Sequence, residues 1–323
     1  MEVLASGSGD YKLPDPDAHR AYVRDHKQRG LVERVMTEQE AVSRFVADGD
    51  YVAYDANVMV RGPASLMREI IRQRKKDLWI AAKFSWSDAT LLAAGGCISR
   101  VDVGWMETGP VLNKAIKDRK VKLIEWSNGA LTYRLLAGAL GVAYLPMRYI
   151  GGSDVFGQSG AKLLTDPYTG KPSVLVPALN PDVALLHVHQ CDVYGNARIF
   201  GAGVAPAEIA MASKKVILST EEIISTDEIR RDPQRTTIPY YLVDAVVVAP
   251  FGAYPGSMPG RYAGDVENVF QFAMAQMQGT VDEYLDKYVY SVASHEEMLE
   301  KRVGAAKLIT MVQAETEKQG YYP

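Results

Sequence analysis

Residues 51–104 carry the alternation that decides the fold: Tyr51-Val52-Ala53-Tyr54, a helical stretch over residues 65–74, Leu78-Trp79-Ile80-Ala81-Ala82, a second helical stretch over residues 89–94, and Val101-Asp102-Val103-Gly104. Short β-rich runs separated by helical patterns are the rhythm of βαβ units, which build a mostly parallel sheet. The rhythm resumes with a run over residues 121–125 and a helical pattern over 131–140. It continues through apolar runs at 174–179, 183–188, 216–218 and 243–249. Runs apolar at nearly every position suit strands covered on both faces. The expected fold class is therefore α/β, an open, mostly parallel sheet with helices on both faces.

Upstream, residues 1–36 are rich in charge, Pro and Gly and lack a clean apolar period. They read as an N-terminal extension that wraps either a neighbour or the domain's own surface. The domain, residues 37–323, starts at Thr37-Glu38-Gln39-Glu40. This is a capping box, in which the threonine oxygen accepts from the amide three residues on and Glu40 reaches back. Ala41, Phe45 and Val46 then supply a buried stripe. Residues 151–172 form the longest irregular segment and a candidate functional loop. After Pro250 the pattern turns helical, over residues 266–277, 281–285 and 296–303.

Composition narrows the chemistry. A chain of 323 residues, 47% apolar and 23% charged, buries a large core. Its formal net charge of -3 provides no basic field for a nucleic-acid backbone or an anionic membrane surface. The two cysteines, Cys97 and Cys191, lie far apart outside any CxxC pattern, which fits a reduced compartment and predicts a cytoplasmic location. No stretch approaches the roughly 20 apolar residues of a membrane span.

In open parallel sheets ligands collect at the carboxyl ends of strands, so the residues after each β-run carry the candidate chemistry. These are Asp55 to Pro63 with Asn57, Lys83-Phe84-Ser85-Trp86-Ser87-Asp88, Trp105-Met106-Glu107, and Trp126-Ser127-Asn128-Gly129. Each has a plain structural alternative. Asp55 and Asn57 could cap the helix that begins near Pro63, and Ser85, Ser87 and Asp88 are equally good caps. Glu107 could be a solvated loop acid, and Ser127 and Asn128 could cap the next helix. Asn128 also stands where a side-chain amide could donate to an oxyanion. Gly151, Gly152 and Ser153 either form a tight turn or let backbone approach an acyl chain, with Ser153 as a pocket residue. Phe84, Trp86, Trp105 and Trp126 suggest a large apolar or ring-bearing substrate, or else core. His187 and His189 share a strand face without a helpful third ligand, so satisfied core histidines are favoured over a metal site. The chain lacks a Walker A loop, a GxGxxG after a strand and a GxSxG elbow.

The run Ser219-Thr220-Glu221-Glu222-Ile223-Ile224, with Asp227-Glu228-Ile229-Arg230-Arg231-Asp232-Pro233, Ile238-Pro239 and Val243-Asp244-Ala245-Val246-Val247-Val248-Ala249-Pro250-Phe251-Gly252-Ala253, closely resembles the alpha subunit of the glutaconate-type CoA-transferases. Supporting stretches include Ala47-Asp48-Gly49-Asp50 and Gly195-Asn196-Ala197-Arg198, so the likeness spans residues 36–309. The resemblance implies an α/β fold, a partner subunit of beta type in a hetero-oligomer, and an active site at their interface. It implies a coenzyme A thioester and a carboxylic acid as substrates, with no permanently bound cofactor. The nucleophile in such enzymes is a glutamate of the beta-type subunit, so no nucleophile is expected in this chain. It also implies that Lys83, Phe84 and Ser85 match a loop lining the acyl pocket and oxyanion hole. Here Phe84 and Trp86 replace a glycine-rich sequence and reshape the pocket away from glutaconate. Ser127-Asn128 matches a Ser-Gln pair and lies where related steroid ring-cleaving hydrolases carry a catalytic glutamate. Asn128 cannot act as that base, though Glu107 could supply a carboxylate nearby. Tyr254 replaces a histidine frequent in relatives. A hydrolysing, ring-cleaving or decarboxylating complex of the same fold, and a non-catalytic scaffold, are the alternatives. For the Glu221 to Pro233 motif a structural role, knitting a turn or a subunit contact, is favoured over substrate contact.

Overall fold

The computed structural model describes residues 2–201 and 203–317; the last residues assigned above to the domain, 318–323, and Met1 of the extension lie outside the described residues. In chain order the strands are β1 (Val3–Ser6), β2 (Tyr51–Tyr54), β3 (Leu78–Ser85), β4 (Ile98–Met106), β5 (Lys122–Glu125), β6 (Tyr144–Met147), β7 (Lys162–Thr165), β8 (Pro172–Pro177), β9 (Val183–Val188), β10 (Gln190–Cys191), β11 (Ala197–Arg198), β12 (Lys215–Thr220) and β13 (Ala245–Val248). Seven of them form the main sheet in the order β13-β12-β9-β2-β3-β4-β5, and every pairing in it is parallel. Helices cover both faces. On one, Leu66 and Ile70 of the helix Ala64–Arg72 and Leu92 of Asp88–Ala94 pack on Val52, Ile80 and Val101. On the other, Leu131 and Leu135 of Asn128–Leu140 and Ile209 of Pro206–Ala212 pack on Tyr51, Ala53 and Leu186. β9 lies near the centre and all six of its residues are buried, each large aliphatic side chain among them contributing about 1.5–3 kcal/mol of transfer free energy.

Two segments fold differently from their sequence pattern. The apolar run at 174–179 falls largely in β8, which belongs to a separate antiparallel sheet of order β1-β7-β8-β6. Its alternating burial explains this: Val174 and Val176 are buried and their neighbours are not, the period of a strand with one covered face. Within 151–172, residues Asp154–Gln158 form a short helix and β7 pairs with β8, so much of that segment is ordered by the small sheet.

The capping box at Thr37 is present, with Glu40 N donating to Thr37 Oγ1 at 3.2 Å and Thr37 N to Glu40 Oε2 at 2.9 Å. The preceding extension lies on the domain's own surface. β1 pairs with β7, and Lys12 bonds Asp182 at 2.8 Å. Lys27, buried, bonds Asp244 and the Lys214 carbonyl, both at 2.9 Å. The buried Arg34 donates to the carbonyls of Gln28, Gly30, Val32 and Tyr194. Among the described residues no helix is long and apolar enough to cross a membrane.

Candidate functional site at the carboxyl edge of the sheet

The strand order reverses at β2: the chain moves outward through β3, β4 and β5 on one side and through β9, β12 and β13 on the other. Ligands of open α/β sheets sit in the crevice at such a point. Asp55 and Arg61 are buried and ion-paired, and Asp55 accepts from the Ala205 amide at 3.0 Å. Neither Asp55 nor Asn57 caps the following helix, whose N-cap is Pro63 with no side-chain bond. Asn57 is instead bound into a tight turn, exchanging two 3.0 Å backbone bonds with Val60. That turn is stitched to the Ser257 segment through Met59 and Arg61, which fixes Asn57 well before the helix start.

The open groups lie beyond β3, β4 and β5. Gly104, near the carboxyl end of β4, is their common neighbour: a β-carbon there would meet Asn128 Oδ1 at 2.0 Å and the Lys83 carbonyl oxygen at 2.8 Å. Only glycine admits the Asn128 amide this close to the strand. Asn128 Oδ1 is enclosed and lacks a hydrogen-bond partner. Ser127 caps the helix Asn128–Leu140, accepting from the Ala130 amide at 3.0 Å, and Gly141 with φ 69 ends it. The Lys83 ammonium turns away to the Val204 carbonyl at 2.9 Å. Burial lowers its pKa, against the opposing pull of Asp55 and Glu208.

Ser85 is buried, its hydroxyl accepting from the Ala89 amide at 3.1 Å while its carbonyl accepts from Glu107 N at 2.9 Å. The hydroxyl therefore serves the helix start, and Ser87, the N-cap by position, makes no side-chain bond. Asp88, in the first turn of that helix, has an enclosed Oδ2 without a partner, and burial pushes its carboxyl up to about 7. Glu107 is exposed on the rim. Ser153 is exposed too, its hydroxyl donating to the Ile150 carbonyl at 2.9 Å. The structure thus brings Lys83 and Asn128 together at Gly104, joins Ser85 to Glu107 through backbone, and leaves Asn57 and Ser153 on separate turns. Two neighbours escaped the sequence reading. Gly104 closes the run that starts at Val101, and a glycine inside a strand pattern signals close approach. Tyr149, whose hydroxyl would lie 2.6 Å from a β-carbon at Gly129, had no such signal.

His187 and His189 are both buried and satisfied. His187 bonds Ser219 at 2.9 Å and Glu221 at 2.7 Å, and His189 bonds the Pro259 carbonyl at 3.0 Å and the Phe200 amide at 3.1 Å. Burial drives the His189 pKa down to about 4. Among the described residues no group of three metal-ligating side chains converges. Glu221 braces the edge, accepting from His187, Tyr262 and the Phe251 amide. Burial pushes its carboxyl up, but those bonds outweigh it and hold the pKa below the ordinary value. A depressed carboxyl adds stability that is complete above the unfolded pKa of about 4.3 and disappears as pH falls through the folded value. The Glu221→Gln variant is therefore expected to unfold more readily at pH 7, with the difference from wild type shrinking below about pH 4 in acid-unfolding curves.

The edge geometry, the parallel sheet and the sequence define one class of protein. Residues 35–249 match the family described as coenzyme A transferase. A protein of Archaeoglobus fulgidus is 42% identical over 95% of this chain and 71% of its own length. The corresponding subunit of the glutaconate CoA-transferase of Acidaminococcus fermentans is 30% identical over 87% of this chain and 95% of its own. The crystal structure of that enzyme superposes with a TM-score of 0.82 at 29% identity, covering 86% of this chain and 95% of that one. A variant of the decarboxylase AibA/AibB gives a TM-score of 0.70 at 28% identity over 79% of this chain and 98% of its own. The chain belongs to the coenzyme A transferase family, and within it is an α-type chain of the glutaconate kind.

Proposed function

We propose that this chain forms, with a β-type partner, a heteromeric enzyme that moves CoA between an acyl-CoA donor and a carboxylic acid, the nucleophilic glutamate coming from the partner. The observation that carries this reading is the half-built edge. Asn128 lies half-buried at the start of its helix, whereas the enclosed glutamate of this edge, Glu221, is saturated by three donors, and Glu107 is exposed. A carboxylate is a weak nucleophile and must be enclosed beside an oxyanion donor to attack a thioester. A second subunit closing over Asn128 would provide both the glutamate and the enclosure.

The steps balance without a bound cofactor. The partner's carboxylate attacks the thioester carbonyl and expels CoA thiolate, forming an acyl anhydride. The thiolate attacks the glutamyl carbonyl, releasing the donor acid and leaving a glutamyl-CoA thioester. The acceptor carboxylate attacks that thioester, and the thiolate expelled then attacks the acyl carbon of the new anhydride, restoring the glutamate. At each tetrahedral stage the Asn128 amide donates to the oxyanion, the first-turn backbone amides of its helix add their dipole, and the end of β3 from Lys83 to Ser85 borders the acyl group. Ser127 holds the start of that helix, whereas Asn57 and Ser153 stand on separate turns.

The test is to co-purify the chain with its β-type partner and follow CoA esters by mass spectrometry during incubation with labelled acyl-CoA and free acids. Label appearing on an acceptor acid, together with a borohydride-sensitive glutamyl-CoA adduct on the partner, is the expected result. Product formed without an acceptor would replace transfer by hydrolysis or decarboxylation, the latter being the reaction named for AibA/AibB.

A further inference from the structure

The amino ends of the strands carry a second concavity. A cavity of about 580 Å³ lies between the N-terminal extension, which contributes Tyr22, His26 and Arg34, and the domain, which contributes Arg44, Phe45 and Lys215. Small-molecule sites run from roughly 300 to 1,000 Å³. Lys215 opens β12, and Asp244, also in the lining, immediately precedes β13. β12 is six residues long, and at about 3.3 Å per residue the cavity stands roughly 20 Å from the carboxyl edge. Backbone bonds hold the extension in place: Val246 N donates to the Arg34 carbonyl and Met36 N to the Val246 carbonyl, both at 2.9 Å.

The charges lining this cavity do not cancel. Other buried arginines are matched: Arg134, over the Trp126 ring at 4.0 Å, pairs with Asp102, and Arg61 pairs with Asp55. Arg34 is also buried, yet its guanidinium donates to four backbone carbonyls and to no carboxylate. Lys215 Nζ reaches the Phe45 carbonyl at 3.2 Å, and the exposed Arg44 lies over the Phe45 ring at 5.1 Å; among the described residues neither has an ion pair. The enclosed acid, Asp244, is taken up by Lys27 and the Val216 amide, and Glu33 is exposed. Buried cations ordinarily meet an anion. The walls add rings, with Tyr22 and His26 in contact at 5.4 Å and Phe45 across from them in the chain's fold.

We propose that this cavity binds a nucleoside monophosphate, with its phosphate at Lys215 and Arg44 and its base against Tyr22 and Phe45. A phosphate monoester carries about -1.5 to -2 charge at pH 7, which answers several cations where a single carboxylate answers one. A flat base buries well on aromatic side chains and gains stacking geometry. The site lies apart from the thioester chemistry, so it is a site for an effector rather than for a substrate.

The test is calorimetry on the complex of this chain with its β-type partner, using AMP, GMP, CMP and UMP, the four nucleosides, and inorganic phosphate as probes. At least one nucleotide is expected to bind about tenfold or more tightly than both its nucleoside and inorganic phosphate. Lys215→Met should weaken it by about tenfold, the loss of one charge-assisted bond. Arg44→Ala should weaken it by about fivefold, and because Arg44 is exposed and its printed contact is a ring, that variant keeps its fold. Asn128→Ala should leave the affinity unchanged. The proposal fails if no nucleotide exceeds inorganic phosphate. It fails equally if nucleotide binding survives both Lys215→Met and Arg44→Ala, since the nucleotide would then sit elsewhere. Neither failure touches acceptor-dependent label transfer, and a complex that binds nucleotide here without ever transferring CoA keeps this site and sinks the transferase reading.

Discussion

Replacing Asn128 by alanine is expected to lower kcat of the two-subunit complex by about 100-fold, with KM for the acyl-CoA nearly unchanged. Loss of one preorganised oxyanion donor costs on the order of 100- to 1000-fold in turnover, because the bond is strong only in the transition state. The fold should tolerate the change. Ser127, rather than Asn128, holds the helix cap, and the Asn128 backbone carbonyl still accepts from Thr132 at 2.9 Å. Gly104→Ala supplies a second arm. Its methyl group would stand 2.0 Å from Asn128 Oδ1 and 2.8 Å from the Lys83 carbonyl, so the amide must swing away. The two substitutions should then be non-additive, the double variant being no slower than Asn128→Ala by more than about twofold. Steady-state kinetics on the three complexes decides this. A kcat for Asn128→Ala within about twofold of wild type would reduce Asn128 to an ordinary helix-start residue.

Much of the main sheet was legible because its signal is local. Tyr51–Tyr54 and Val183–Val188 are runs whose every residue is buried, and both were read from apolar content with their observed limits. The run at 174–179 misled because apolar content alone does not say which sheet a strand joins. Its pairing with β6 and β7 is set by contacts far along the chain. The same limit governs the site. Sequence placed Lys83, Ser85 and Asn128 at strand ends, but not where their side chains turn. The Ser85 hydroxyl goes to Ala89 and the Lys83 ammonium to Val204, leaving Asn128 with an unpartnered oxygen. Those choices depend on neighbours from distant segments, and so does the engagement of Glu221, which needs Tyr262 and Phe251. The structural role favoured for the Glu221 motif matches those bonds, while Trp126, grouped in sequence with the edge aromatics, proves to be core.

Arg134→Met should be the most destabilising single exchange considered, at about 3–5 kcal/mol, because it leaves a buried carboxylate without its cation. Asp102 is fully buried and receives bonds from Tyr51, Trp79 and Arg134. Burial, followed by the Asp102 charge, raises the Tyr51 phenol well above its ordinary pKa, so it stays protonated and donating. Arg134 also donates to the Pro177 carbonyl at 3.1 Å, which ties the helix Asn128–Leu140 to the small sheet. Urea unfolding should show a lower midpoint with an unchanged slope. Pairing the exchange with Asp102→Asn separates charge from packing. The amide oxygen can take the Trp79 bond at the Oδ1 position while its NH2, at the Oδ2 position, donates to the Tyr51 hydroxyl in place of accepting from it; with no charge to strand, the double variant should recover at least about half of the loss. Equal midpoints for single and double variants would assign the cost to the lost stacking on Trp126 and the lost tie to Pro177. Because the same helix begins at Asn128, kcat of the Arg134→Met complex should also fall under conditions where it remains folded, and it should recover in the double variant in step with stability.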